Sequence, residues 1–379
     1  MKNAFSDGVL LKFLCFLSVI LIAVTGLSPS AQTLALVGAG AFLPEGLPAL
    51  GQYCFGVPQT QENAVSAQSQ AVLQNAQSEG VFALSDGFSK TPEDVKTIME
   101  NYAVKFADDK RDADIVSKTY INDAATDIYG NVAVRNTTET KKINIEQILS
   151  RPLDLNVADA SQPTVLIFHT HTSEGYELID RPWYAQGYID RSNNEAINIV
   201  RVGTEIAEYL TAAGIGVIHD TTIYDDTYSG SYGKSRAGIE KNLEKYPSIQ
   251  IVLDIHRDAI QLNNGNKIKP VTKINGKKAA QVMIITGAEE GKVTDFPDWE
   301  YNLRFALELQ RTCQQLFPTL MRPILFAQRK YNMDMAHCNL LLEMGSAANT
   351  LEEAVYAGRM IGAALAEIIG NHTNKTNGE

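Results

Sequence analysis

Three of the six histidines in this 379-residue chain stand where a run of apolar residues ends. His169 and His171 follow Pro163-Thr164-Val165-Leu166-Ile167-Phe168, and His256 follows Ile249-Gln250-Ile251-Val252-Leu253-Asp254-Ile255. Zinc takes imidazole nitrogens and carboxylate oxygens, and a catalytic site keeps one position for a water whose pKa falls toward neutrality. Glu174, three residues beyond His171, can complete such a donor set from the same loop. The chemistry also needs a carboxylate outside the metal shell, to take a proton from water and return it to a leaving amine. Glu343 closes the run Leu340-Leu341-Leu342, an apolar setting that raises a carboxyl pKa. Arg257, beside His256, is a candidate for holding a substrate carboxylate bidentately, and an ion pair with Asp258 is an equally ordinary use for it. A single strand-end histidine is usually a satisfied core or surface residue. Two histidine-bearing strand ends, a His-x-His-x-x-Glu loop and a strand-end Glu together argue for a zinc hydrolase.

These residues need a frame that brings strand ends together. The apolar runs predict strands over 163–168, 215–219, 249–255, 282–286 and 339–342. Between them, helical spacing runs from Glu195 to Ala213, where Gly214 stops it, and from near Pro297 to Pro318. A last helix is expected to open with Asn349 as N-cap and Glu352 at the third position, burying Leu351, Ala354, Val355, Ile361 and Leu365. Gly358 falls on that face and lets a neighbour approach. Strand alternating with helix predicts an α/β fold, a three-layer α/β/α domain with a mostly parallel sheet. In such sheets ligands gather beyond the carboxyl ends of the strands, where the three histidines fall.

Other chemistries find no support. There is no G-x-S-x-G elbow, Walker A loop or H-E-x-x-H. The Gly-rich stretch 229–236 lacks the phosphate-loop frame and reads as a flexible rim of the active site. None of Cys15, Cys54, Cys313 and Cys338 forms a CxxC pair, and Cys338 reads as a small buried residue. His219 is expected to be structural, His337 a loop residue, and His372 part of a polar tail. A formal net charge of -11 argues against nucleic acid as a partner.

Ahead of the catalytic region, Lys2 precedes an apolar stretch from Gly8 to Leu27, interrupted only by Lys12. It is expected to be a signal anchor or a cleaved signal peptide, and either puts the remainder outside the cytoplasmic membrane. Prolines 44, 48 and 58 speak against a second span, and Gln59 to Gln77 reads as a linker or stalk. The expected organisation is a tip and membrane segment over 1–32 and a membrane-proximal segment and stalk over 33–114. A small subdomain over 115–160, with a turn at Tyr129-Gly130-Asn131, precedes a catalytic domain over 161–370 and a polar tail over 371–379.

The motifs VLIFHTHTSEGY (165–176), VLDIHRDA (252–259) and LLLEMGSAANTLEEA (340–354), in this order, resemble the stage II sporulation protein P family. INIVRVGTEIAEYL (197–210), WEYNLRFA (299–306) and Tyr331-Asn332-Met333-Asp334 add to the resemblance, which covers roughly residues 100 to 370. It implies a fold related to the zinc-dependent N-acetylmuramoyl-L-alanine amidases and cleavage of the amide between muramic acid and stem-peptide L-Ala in peptidoglycan. Cleavage of peptide cross-links is left open. His256 is implied as a Zn2+ ligand and Glu343 as the catalytic carboxylate. Either His169 or His171 can fill the first ligand position. Glu174 is preferred over Glu195 as the carboxylate ligand, because it lies within the motif. The resemblance further implies work in engulfment during sporulation, on the outer face of the membrane as a single-pass protein, beside a lytic transglycosylase of the stage II sporulation protein D family. A zinc peptidase acting only on cross-links and a non-catalytic wall-binding scaffold are the competing readings.

Overall fold

The computed structural model describes residues 87–373, Tyr228 excepted. The expected membrane segment and the stretch 33–86 lie outside the described residues, as do the last six residues of the tail; among the described residues no helix is long and apolar enough to cross a membrane. In chain order the elements begin with α1 (Glu93–Lys105), β1 (Arg111–Lys118), β2 (Asp127–Tyr129), β3 (Val132–Asn136), α2 (Ile145–Leu149) and β4 (Pro163–Phe168). Next come β5 (Trp183–Ala185), α3 (Ile199–Ala212), β6 (Gly216–His219), α4 (Ser231–Lys245), β7 (Ile251–Asp258), β8 (Lys267–Ile274) and β9 (Lys277–Ala280). The chain closes with β10 (Val282–Gly287), α5 (Trp299–Leu316), β11 (Ile324–Ala327), β12 (Cys338–Ser346) and α6 (Leu351–His372).

Eight strands form the main sheet in the order β2-β3-β11-β10-β12-β7-β4-β6. The four-strand run β12-β7-β4-β6 is parallel throughout; β10 against β12 and the β2–β3 hairpin are antiparallel. Side chains alternate across a strand. Val165, Ile167, Ile251, Leu253, Ile255, Leu340 and Leu342 therefore share one core with α3, α5 and α6. Leu166, Phe168 and Val252 face the other way, onto Ile239 of α4. Helices thus cover both faces of a mostly parallel sheet, as the alternation of elements predicts.

The sequence-based boundary at 160 divides residues that the structure pairs. β1 is built into a second sheet, β5-β1-β8-β9, and the β2–β3 hairpin extends the main sheet through β11. β1 and β3 pair with strands distant in sequence, which satisfies their backbone donors and acceptors. The cap of α6 also moves by one residue. Thr350 is the N-cap and Glu353 answers it in a full capping box. Asn349 serves elsewhere: its Oδ1 accepts from Ser346 N–H at 2.9 Å, and its Nδ2 donates to Pro270 O at 3.0 Å. That brace holds Gly345, whose φ of +79° suits glycine and whose added Cβ would lie 2.6 Å from Asn349 Oδ1. α3 begins at Ile199, not Glu195, because the Asn198 side chain accepts from Val200 N–H and caps it there.

Glu177 joins the loop after β4 to the start of α6, its N–H donating to Asn349 O and its carbonyl accepting from Leu351 N–H. Its side chain is buried and Oε1 has no hydrogen-bond partner. Burial pushes this carboxyl from 4.5 to about 7, against the pull of Lys267 and Arg181. A raised folded pKa means that stability is fully present below about 4.5 and is lost as pH rises through about 7. Glu177→Gln is expected to stabilise the chain on the order of 1–3 kcal/mol at pH 8 and little at pH 4. Urea midpoints at the two pH values check this.

Candidate active site

The site grows from the pairing of β7 with β12. Glu343 stands directly in register with His256 on the neighbouring parallel strand, so the two side chains leave the sheet on one face. Both strands run further than their apolar cores suggest, and His256 and Glu343 lie within them instead of just beyond. After Glu343 the register shifts at the positive-φ Gly345, which turns the chain away behind the carboxylate. Glu343 Oε2 is buried without a hydrogen-bond partner. Burial, with Asp258 nearby, raises this carboxyl to about 8 despite the opposing pull of His256.

His256 is 3% exposed. Its Nδ1 lies 3.6 Å from Glu174 Oε2 and its Nε2 2.7 Å from Asp254 Oδ1. Burial alone would lower the ring pKa, but Asp254, then Glu174 and Glu343, outweigh it and bring it to about 9. Asp254, two residues earlier on the same face, was missed by the sequence reading, although a lone carboxylate in an apolar run was its signal. It accepts from Thr170 N–H at 2.9 Å and Thr170 Oγ1 at 2.7 Å.

The structure separates the two histidines of the loop. His169 continues the alternation of Val165 and Ile167 and points away from His256, into the α3 side of the sheet. Its Nδ1 lies 2.9 Å from Ile255 O and its Nε2 2.9 Å from His219 Nε2. A carbonyl only accepts, so Nδ1 carries the proton and Nε2 accepts from the His219 N–H. Burial, reinforced by His219, drops His169 to about 3, and burial drops His219 to about 4, so the pair is neutral. With both nitrogens engaged by protein, His169 is a structural residue and not a ligand. His219 is structural, as expected. His171 instead meets His256 edge-on, ring centroids 5.3 Å apart at 85°.

Glu174 is buried, with Oε2 accepting from Arg257 N–H at 3.0 Å and Oε1 3.5 Å from Arg191 Nη2. Its own carbonyl accepts from Ile199 N–H at 2.7 Å, tying the loop to α3. Glu195 is exposed. Arg257 is placed away from the substrate role expected of it. On the face opposite His256, it is 5% exposed and donates from Nε to Gly175 O and from Nη2 to Asp190 O, both at 3.0 Å. It clamps the Glu174 loop and leaves no arm for a substrate carboxylate. A cavity of about 420 Å³ lies elsewhere, lined by Ile249, Gln250, Ala336 and His337 at the starts of β7 and β12. There His337 stacks on Tyr301. Cys338 and Cys313 are buried free thiols.

The donor types fit zinc. Two ligands of a tetrahedral ion at ~2.0–2.1 Å stand roughly 3.3 Å apart, close to the 3.6 Å between His256 Nδ1 and Glu174 Oε2. Asp254 on the other ring nitrogen is the orienting carboxylate that metal-bound histidines use. Among the described residues, no group of three such side chains converges on one point as placed, so a third donor requires the His171 ring to turn toward the pair.

The chain matches the family model of stage II sporulation protein P over residues 72–369 and belongs to that family. It is 26% identical over 236 residues to the stage II sporulation protein P of Bacillus subtilis (strain 168), covering 57% of this chain and 55% of that protein. The chain thus matches just over half the length of this curated relative. Among solved structures it is similar to the N-acetylmuramoyl-L-alanine amidase AmiC2 of Nostoc punctiforme, at 12% identity and a TM-score of 0.33, over 57% of this chain and 98% of that one. The N-acetylmuramoyl-L-alanine amidase from Clostridium difficile 630 gives 17% identity and a TM-score of 0.31, over 57% and 100%.

A Cβ on Gly203 would lie 2.7 Å from both the His169 and His219 rings. Gly203→Ala is therefore expected to cost about 1–3 kcal/mol of stability through overpacking, read as a lower urea midpoint. Arg257→Met is expected to cost about 2–4 kcal/mol by stranding the Gly175 and Asp190 carbonyls and removing the guanidinium 3.9 Å from Glu174 Oε1. A variant with unchanged stability and altered substrate affinity would restore Arg257 to substrate binding.

Proposed function

We propose that this chain is a zinc-dependent peptidoglycan hydrolase that cleaves the amide between muramic acid and stem-peptide L-Ala during sporulation. The observation that carries the reading is the juxtaposition of Glu343 and His256 on paired strands, with Glu174 at 3.6 Å from the histidine. Family membership supports the sporulation role. His171, Glu174 and His256 would hold the metal, with Asp254 orienting His256. Zinc, when bound, supplies Lewis acidity and brings the pKa of water within reach of neutral pH. Glu343 does the proton work. Its carboxylate takes the proton of the attacking water and gives it to the departing L-Ala nitrogen, as the carbon–nitrogen bond breaks and the lactyl carboxyl forms.

The apolar run from Gly8 to Leu27 after Lys2 supports a membrane anchor, with the catalytic domain on the outer face of the membrane. A lytic transglycosylase of the stage II sporulation protein D family is the proposed partner, since opening glycan strands complements removal of their peptides. Cross-link cleavage stands as a second activity to be tested on the same material.

Digestion of purified peptidoglycan, with mass spectrometry of the new termini, tests the assignment. Free lactyl ends with released N-terminal L-Ala are expected. New termini only within cross-links indicate a peptidase, and none at all a scaffold. Glu343→Gln is expected to lower the rate about 10²–10⁴-fold with zinc content unchanged. His256→Ala is expected to lose both zinc and activity, whereas His169→Ala is expected to keep its zinc at a lower urea midpoint.

A further inference from the structure

An aromatic ladder leads out of the site. His171 meets the Tyr232 ring edge-on at 5.8 Å, and Tyr232 stacks flat on Tyr331 at 4.9 Å and 18°. Both tyrosines are half-buried. Tyr331 has a φ of +44° and Asn332 of +58°, two consecutive residues in the left-handed region where a bulky side chain is disfavoured. Strain of this kind persists only where its surroundings enforce it, and it clusters at ligand clamps.

The enforcement is visible. Asn332 is 8% exposed, and its Nδ2 donates to Tyr232 O at 2.9 Å and to Ser235 Oγ at 3.1 Å. Its carbonyl accepts from Asn339 Nδ2 at 2.8 Å, which fixes it to β12. Ser235 Oγ lies 2.8 Å from Thr170 Oγ1, which donates to Asp254, the partner of His256. The Tyr232 backbone and Asn332 are thus tied by hydrogen bonds to Asp254, whose carboxylate lies 2.7 Å from His256 Nε2.

The two flanks of the site differ in chemistry. Beyond Glu174 stands a charged cluster, Arg191, about a third exposed, paired with Asp225 and Glu174. Beyond His171 stand two stacked, uncharged rings. A pyranose ring offers a face of C–H groups, which complements the negative face of an aromatic ring.

Resting on the amidase reading, we propose that Tyr331, backed by Tyr232, is the surface on which the muramic acid ring lies. Tyr331 is then the residue that makes the site prefer a glycan-linked amide over a free peptide. The full-length, zinc-loaded chain carrying Glu343→Gln, so that ligand is not consumed, is titrated with N-acetylmuramoyl-L-alanyl-D-isoglutamine and with L-alanyl-D-isoglutamine. Tyr331→Gly, which suits the positive φ and so cannot lose binding by strain, and Tyr331→Ala are each expected to weaken the muramoyl ligand about tenfold. The plain dipeptide is expected to be unaffected, and Tyr331→Phe to bind both ligands like the parent. Equal weakening of both ligands, or no weakening in Tyr331→Gly, overturns the proposal. Cleavage of peptidoglycan by the unsubstituted chain distinguishes the levels. If it cleaves at the lactyl amide while Tyr331→Gly binds normally, only the sugar platform fails; if it neither cleaves nor binds the muramoyl ligand, the amidase reading fails with it.

Discussion

The parallel pairing of β7 with β12 is the constraint from which the site follows. Opposed residues on adjacent strands share a face, so the register that sets Leu340 beside Leu253 in the core also sets Glu343 beside His256. A slip of one residue would turn the carboxylate to the opposite face of the sheet, into the apolar core that Ile255 shares with Leu253. The apolar pattern that makes such a slip costly is therefore also what keeps acid and imidazole together. Everything else in the site is arranged around that pair: the Glu174 loop is pinned to α3 and clamped by Arg257, and Asp254 is held by Thr170.

The histidine pair on the opposite face makes the same point. His169 and His219 look like site residues by type, but burial keeps them neutral and engaged with each other behind Gly203. Two titratable rings here serve as packing, joined by one hydrogen bond. The chain thus uses one residue type for two purposes, and the period of the strand decides which purpose each histidine serves.

That period also explains what was legible from the amino acids. Buried parallel strands read as continuous apolar runs, so β4, β10 and the cores of β7 and β12 stood out, as did the motifs around them. The ends of β7 and β12 did not, because His256, Arg257 and Glu343 break the apolar pattern where function requires polar side chains. The sheet formed by β1, β5, β8 and β9 was hidden for another reason. Half of the residues of Arg111–Lys118 are exposed and half are charged, and nothing local distinguishes that strand from loop. His169 and His171 could have been separated by counting alternate residues from Val165. Arg257 could not, since its partners are backbone carbonyls of loops whose course is set by tertiary packing. Asn349 was read as a cap, but its amide instead braces the turn behind Glu343, a role invisible in a capping pattern shared with Thr350.

The position of β12 has a kinetic consequence. It is the last strand among the described residues, yet it lies in the middle of the sheet, between β10 and β7. Until it inserts, β7 and β10 each expose an open edge, and His256 has no carboxylate in register. Long-range pairing of this kind is slow, and it comes late in synthesis. A nascent or partly threaded chain therefore lacks its complete catalytic pair. Completion of the sheet and assembly of the site are the same folding event.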